Sequence, residues 1–311
     1  MRGDRMENKP NQHYVWQNYL KPWTTDDKIS CLRERKKIIN PNTRNIASQR
    51  YFYGVDGLVL RDCEIMRKAF IEKKAGYTKQ MLLGWIKPIE VGIAIRDLMQ
   101  NMGYDTCAEI DLYLKNMLEE VYTAIEAGAI PGLNRVLSQD IDFLYSSSEE
   151  DTTDIDFIAF LCFQYFRTKR MKEAVIQNIG ESATNLFSDF GKAFNIIALI
   201  LATQFGGSLL NLIKEGAYHC YLLKNECGTP FLTGDQPIIN TFATATPKIE
   251  PDELELYYPV SPKLALLISN KTNHDVNCSV EDVLRYNHLI VMQSWENVFA
   301  ADELILKRFL I

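Results

Sequence analysis

The stretch KISCLRE at residues 28–34 decides the fold class of this chain, because it predicts a β-strand far from the other strand signals. Its apolar side chains Ile29, Cys31 and Leu32 are interspersed with polar ones, as in a strand with one buried face. A short strand needs hydrogen-bonded partners to be stable. The most economical arrangement pairs it with strands of the C-terminal third, across a long helical region.

Helical signals dominate that region, from about residue 58 to residue 215. Apolar residues recur there at intervals of three and four, which is the period of an amphipathic helix. Clear examples are Cys63, Met66, Phe70, Leu114, Leu118 and Val121. Residues 155–180 predict one long helix or a pair of helices.

One part of the helical region, residues 194–213, carries no charge and was weighed as a membrane span. A span is normally more uniformly apolar than this stretch, which contains Asn195, Gln204 and Asn211. The pattern instead favours a buried core helix, with no membrane. Because glycine weakens helices, we expect the helix to break near Gly206 and Gly207.

Strand signals return after Gly216, at residues 218–223, 230–233, 237–241, 256–259 and 264–269. A last helix is predicted from Ser279 to about Ala300, because Ser279 and Asp282 have the spacing of a capping box. The chain therefore predicts an α+β fold, a mainly helical single body with a small antiparallel sheet built from the N-terminal strand and the C-terminal strands. Residues 1–12 are expected to form a flexible tail and residues 13–311 a single domain.

Composition limits the classes of function. A net charge of −6 argues weakly against non-specific nucleic-acid binding. The seven cysteines include no C-x-x-C pair, so a disulfide framework or a thiolate zinc site is not expected. The polar N-terminus has no signal-peptide pattern, and these features together favour a cytoplasmic protein. A basic stretch with Arg33, Arg35, Lys36, Lys37 and Arg44 either contacts nucleic acid or forms a solvated hairpin.

Several polar residues are candidates for chemistry. His13 precedes an aromatic segment, where it serves as a general acid or base or caps the helix. Gln164, Arg167 and Thr168 lie at positions i, i+3 and i+4, so they share one face of a helix. Arg167 either clamps an anionic ligand or forms an internal Arg–Asp bridge between helix and sheet.

Two further candidates lie later in the chain. Asp235 follows Thr233 in a Gly- and Pro-flanked turn. It orients His13, binds a metal or pairs with Arg167, or else it forms an Asx turn that simply closes the hairpin. Asn287 in the last helix either points into a site or satisfies a neighbouring backbone group.

A series of short segments also forms an ordered pattern along nearly the whole chain. They are residues 11–15 (NQHYV), 19–20 (YL), Trp23, 52–53 (FY), 164–168 (QYFRT), 231–238 (FLTGDQPI), 259–262 (PVSP) and Asn287. The ordered set resembles the bacterial family catalogued as domain of unknown function 4238. The chain departs from the family's usual pattern at Trp16, in place of proline, and at Gly234, in place of serine. The resemblance implies the fold and the interesting residues, but no particular reaction.

Two functions from different classes are compatible with these residues. The first is a hydrolase acting on phosphodiesters or nucleotides, for example a nuclease, with His13, Asp235 and Arg167 as catalytic groups. Gln164, Thr168, Thr233 and Asn287 would then bind the ligand, a nucleotide or nucleic acid would be the partner, and a divalent metal is one candidate cofactor. The second is a non-catalytic small-ligand sensor or binding module, in which the polar residues are structural. The oligomeric state is not predicted.

Overall fold

The computed structural model describes residues 7–104, 108–146, 150–243 and 251–311. Cys107 and residues 1–6 of the predicted tail lie outside this part of the chain.

Helices make up most of the described structure. The α-helices are α1 Gln17–Leu20, α2 Leu60–Phe70, α3 Gly76–Asn101, α4 Ala108–Leu137, α5 Thr153–Phe166, α6 Lys169–Asn178, α7 Gly180–Thr184, α8 Phe190–Lys214, α9 Val280–Gln293 and α10 Glu303–Leu306. Short 3-10 helices lie at Lys21–Trp23, Thr43–Asn45, Asp142–Tyr145 and Lys307–Phe309. The region predicted as one long helix or a pair is a pair, α5 and α6.

The strands form three antiparallel groups rather than one sheet. They are β1 Asn11–His13, β2 Thr24–Thr25, β3 Lys28–Arg33, β4 Lys37–Ile39, β5 Ser48–Arg50, β6 His219–Lys224, β7 Thr233–Gly234, β8 Ile239–Asn240, β9 Glu255–Ser261, β10 Leu264–Ser269 and β11 Asn297–Ala300. One sheet has the order β6-β10-β9-β8, a second β2-β3-β11-β7 with β4 paired to β3, and β1 pairs with β5. The α+β class is confirmed, and the expectation of a single small sheet is corrected to several.

Both faces of the four-stranded sheet are buried. Successive side chains on a strand point to opposite faces. Leu266 and Ile268 of β10 accordingly belong to the core shared with the helices. Ala265 and Leu267 belong to a second core under α9 and β11. On the first side, helix α5 packs against both α4 and α8.

The N-terminal strand does join the C-terminal part of the chain, but through a strand that the sequence did not predict. Strand β3 pairs with β11, in register Cys31 with Phe299, and β11 in turn pairs with β7. This segment was expected to continue the last helix to Ala300, which was wrong. Helix α9 ends at Gln293 because Ser294 takes extended backbone angles, and the buried, mostly apolar segment Asn297–Ala300 then enters the sheet.

Helix α8 is continuous, so the expected break at Gly206 and Gly207 does not occur. A Cβ at Gly206 would lie 3.6 Å from Cys162 of α5, so this glycine lies at the close packing of two helices. Among the described helices, α8 is long and apolar enough to cross a membrane, and 50% of its most apolar window is buried within the protein.

The tail boundary at residue 12 was placed too late. Asn11 and Gln12 form β1 with His13. Gln12 is fully buried: its amide donates to the Lys115 carbonyl at 2.8 Å and its side-chain oxygen accepts from the Tyr53 N–H at 2.8 Å.

Candidate functional site

The polar trio at the end of α5 is buried and bonded internally. The Gln164 amide donates to the Tyr14 carbonyl at 2.9 Å, which ties α5 to the N-terminal segment. Arg167 donates to Gln164 Oε1 through Nε at 3.2 Å and to Glu126 Oε1 through Nη2 at 2.6 Å. Its guanidinium also lies 5.0 Å from the centre of the Tyr122 ring. A buried cation requires such partners, and here the ion pair joins two helices, not the helix and sheet of the predicted Arg–Asp bridge.

Thr168 connects the same region to the motif after β7. Its hydroxyl accepts from the Met171 N–H at 3.3 Å, which makes it the N-cap of α6. The hydroxyl also donates to Gln236 Oε1. Gln236 in turn donates to the Ile238 carbonyl at 2.7 Å. Thr168 therefore positions α6 against the late turn.

Asp235 is fully buried and organises the turn between α9 and β11. Its carboxylate accepts from the backbone N–H groups of Trp295, Glu296 and Asn297 at 2.7–2.8 Å. Burial raises the pKa of Asp235 to about 6, while these hydrogen bonds act in the opposite direction. The Asp235 carboxylate therefore has a structural role: it accepts the backbone N–H groups of the turn that leads from α9 into β11.

Gly234 is explained by a close approach in the same turn. A Cβ at this position would lie 2.0 Å from the Ser294 hydroxyl oxygen, which itself donates to the Ile290 carbonyl at 2.8 Å. The Ser294 hydroxyl therefore occupies the space that a side chain at position 234 would need, which explains the glycine.

Thr233 and Asn287 also satisfy internal groups. The Tyr19 hydroxyl donates to the Pro259 carbonyl at 2.7 Å, so the Thr233 hydroxyl is the donor in its 2.5 Å contact with Tyr19. Asn287 accepts from the Leu232 N–H at 2.7 Å and donates to the Pro230 carbonyl at 2.9 Å. Of the two alternatives for Asn287, the structural one matches this geometry.

His13 lies half-buried at the end of β1. Its Nε2 is 3.2 Å from the Arg44 carbonyl oxygen, and the Gln17 amide nitrogen is 3.1 Å from Nδ1 and 2.7 Å from Nε2. The contact with the Arg44 carbonyl requires a proton on Nε2, because a carbonyl can only accept, whereas the 2.7 Å contact with the Gln17 amide requires Nε2 to accept; the two contacts need different tautomers of the ring. Burial lowers the pKa of His13, and the charge of Arg167 lowers it further, so the ring is neutral at pH 7.

His13 lines a polar cavity of 370 Å³ between the N-terminal segment and α4. The N-terminal wall consists of His13, Trp16, Gln17, Asn18 and Lys21. The opposite wall consists of Glu119, Tyr122, Thr123 and Glu126 of α4. These four residues have the spacing i, i+3, i+4 and i+7, which places them on one face of the helix.

Glu119 is the most unusual group in this cavity. Its Oε2 is buried and has no hydrogen-bond partner among the residues that the structure describes. Burial raises the pKa of Glu119 to about 7; Arg167 opposes this effect and Glu126 adds to it. Burial likewise raises the pKa of Glu126, against the neighbouring charge of Arg167. Perturbed carboxyl groups in a cavity are typical of functional sites.

The structure therefore brings together only part of the predicted catalytic set. His13 lines the cavity, and Arg167 reaches it through its ion pair with Glu126. Asp235 does not line it, because its oxygens are used by the turn after α9. Glu119 was missed, since a single glutamate on a long helix normally indicates a solvated face. The sequence feature that could have indicated it is a row of polar residues, Glu119, Thr123 and Glu126, on one face of a largely apolar helix.

Metal binding finds little support at this cavity. Within residues 7–104, 108–146, 150–243 and 251–311, no group of three or more His, Cys, Asp or Glu side chains is arranged to hold a metal ion.

The fold and the cavity define an α+β protein with a candidate small-molecule site beside α4. The family described as "Protein of unknown function (DUF4238)" matches residues 11–195 and 215–303, and the chain belongs to this family. No curated protein and no solved structure matches the chain.

Proposed function

We propose that this protein is a hydrolase that uses Glu119 as its general acid–base group in the cavity beside α4. The observation that carries the proposal is the buried, unpartnered Oε2 of Glu119 on the wall opposite His13. A buried carboxylate oxygen without a donor costs about 1–3 kcal/mol, and a catalytic role is one of the reasons for which proteins keep such a group.

The protonation states suit this role. A general acid–base group works best when its pKa is close to the working pH. The pKa of Glu119 is about 7, so both of its forms are populated at neutral pH. In the proposed reaction, ionised Glu119 takes a proton from a water molecule while the water oxygen attacks the substrate. The bond between the substrate and its leaving group then breaks, and the same proton passes from Glu119 to the leaving group, so no proton is gained or lost.

In this proposal His13 and Arg167 position other side chains of the cavity and do not take part in the proton transfer. His13 is held by the Arg44 carbonyl and orients the Gln17 amide, which lines the same cavity. Arg167 neutralises Glu126 at 2.6 Å, and this pairing limits the repulsion between Glu126 and Glu119. Asp235 contributes to the fold alone in this proposal.

The charge of the cavity narrows the substrate class. Two carboxylates, Glu119 and Glu126, face one ammonium group, that of Lys21. The guanidinium of Arg167 is already bonded to Glu126 and Gln164. With Glu126 paired to Arg167, the lining offers a phosphodiester one ammonium group, that of Lys21, opposite the carboxyl group of Glu119. A neutral or cationic polar substrate, such as an ester, amide or glycoside, therefore fits better than the phosphodiester expected from the sequence.

A chromogenic panel tests the proposal. Wild-type protein is incubated with neutral p-nitrophenyl esters, anilides and glycosides and with a phosphodiester. We expect turnover of a neutral substrate, with kcat falling about 100-fold or more in Glu119→Gln. Glu120→Gln is the matched control, because Glu120 is adjacent but pairs with Lys9 on the surface. No turnover of any substrate, or equal rates in wild type and both Glu119→Gln and His13→Ala, would refute the proposal.

A non-catalytic binding module is the second candidate. The observation in its favour is that Gln164, Arg167, Thr233 and Asn287 are all bonded internally. In that case a ligand would raise the melting temperature of the wild type, and less so that of Glu119→Gln, without being converted to product.

A further inference from the structure

A second cleft lies beside the turn that Asp235 holds, and the proposed hydrolase does not use it. It has a volume of 450 Å³, within the range of small-ligand sites. Its walls come from the turn between β3 and β4, the first turn of α6, and the α9–β11 connection that Asp235 holds. The residues used below are Arg35, Lys36, Arg170, Trp295, Glu34 and Glu296.

The cleft has an excess of positive charge. Arg35, Lys36 and Arg170 line it together with two carboxylates. Of these carboxylates, Glu296 is paired with Lys169 at 2.6 Å, while Glu34 lies 3.9 Å from Lys36. Counting Lys169 and the buried Asp235 carboxylate beside Arg170, four cations meet three anions. Burial lowers the pKa of Arg170; the charge of the Asp235 carboxylate opposes this effect, and that of Arg35 adds to it.

The turn that presents Arg35 is held in place by long-range contacts. Glu34 and Arg35 have φ values of 50° and 58°, in the left-handed region where such turns usually contain Asn and Gly. The Glu34 N–H donates to the Glu296 carbonyl at 2.6 Å, and the Arg35 guanidinium donates to the Val291 carbonyl at 2.8 Å. These bonds fix the basic groups against the α9–β11 connection.

Trp295 gives the cleft an aromatic wall. This side chain is partly exposed, and its backbone N–H is bonded to Asp235 at 2.7 Å. An indole beside guanidinium groups suits a ligand that carries both a flat ring and a negative charge, because bases stack on aromatic rings and phosphates pair with Arg and Lys. We propose that this cleft binds a nucleoside phosphate, with the phosphate between Arg35, Lys36 and Arg170 and the base against Trp295.

The test is calorimetric titration of the full chain with AMP, adenosine and inorganic phosphate at low salt. We expect AMP to bind about tenfold or more tightly than either fragment, and to quench tryptophan fluorescence in wild type but not in Trp295→Phe. Arg170→Gln should weaken AMP binding by about tenfold, as expected for a lost charge-assisted contact.

Lys36→Gln and Lys37→Gln form a matched pair. Both residues are exposed neighbours on the hairpin and lose the same charge, but only Lys36 lines the cleft. We expect Lys36→Gln to weaken AMP binding severalfold and Lys37→Gln to change it by less than about twofold. Equal effects of the two changes, phosphate binding as tight as AMP binding, or no AMP binding at about 1 mM would each overturn the proposal. Glu119→Gln should bind AMP as wild type does, which separates this cleft from the hydrolase site.

Discussion

The pKa of Glu119 leads to a prediction in which loss of a functional group stabilises the fold. The pKa rises from its usual 4.5 to about 7 in the folded protein, mainly through burial. The folded state therefore binds this proton more tightly than the unfolded state does. Below pH 4.5 the group is protonated in both states and has no effect on stability. Between pH 4.5 and about 7 the unfolded state releases the proton first, so the folded state loses stability progressively, and the loss is complete above pH 7.

Glu119→Gln removes this cost, because the amide resembles the protonated acid at every pH. A change in pKa from 4.5 to about 7 corresponds to about 3 kcal/mol at most. Since Glu119 is only partly buried, solvent screens part of this energy, and we expect the variant to be about 1–2 kcal/mol more stable than wild type at pH 8. Near pH 4.5 the two proteins should have equal stability.

Urea denaturation at several pH values between about 4.5 and 8.5, followed by circular dichroism, measures the difference in unfolding free energy. Glu120→Gln is again the control: Glu120 pairs with Lys9 at 2.9 Å with 48% of its side chain exposed, so we expect a loss below about 0.5 kcal/mol that does not grow with pH. A Glu119→Gln difference that stays flat across this range, or a destabilised variant at pH 8, would refute the assignment of Glu119 as a buried group with a raised pKa.

Three further predictions concern the family motifs, and each is checked by urea denaturation at pH 7. Gly234→Ala should destabilise by about 1–3 kcal/mol, because the methyl group would lie 2.0 Å from Ser294 Oγ; Gly207→Ala, with nothing within 4 Å, should not destabilise. Asp235→Ala should cost about 2–4 kcal/mol, since it leaves three backbone N–H groups after α9 without an acceptor, and a loss under about 0.5 kcal/mol would contradict its role as a cap. Tyr19→Phe should cost about 1–2 kcal/mol through the lost bond to the Pro259 carbonyl, and an unchanged midpoint would contradict that bond.

Much of the fold could be predicted because hydrophobic periodicity is a local property. The pattern at residues 28–34 predicted β3, and the apolar runs at 218–223 and 264–269 predicted β6 and β10. Strand β11 could not be predicted, because its four residues alone do not distinguish the end of a helix from a strand. Asp235, about 60 positions earlier, decides the outcome by accepting the N–H groups that follow Ser294.

The candidate site was less accessible from the sequence. His13 could be proposed from the sequence, because the unperturbed pKa of any histidine is close to neutral pH and makes it a candidate acid or base. Glu119 could not, since its chemistry depends on burial and on the absence of a donor, and both are set by residues about 100 positions away in the N-terminal segment.

The sequence by itself determined the α+β class, the family and the helical middle of this protein, because these depend on side chains that are close in the chain. Only the tertiary structure decided which charged groups are neutralised. Arg167 is bonded to Glu126, and Asp235 to the turn after α9, while Glu119 Oε2 has no partner within the described part of the chain. The physical reason is that the free energy of a buried charge depends on the few atoms around it, and long-range folding alone determines which atoms those are.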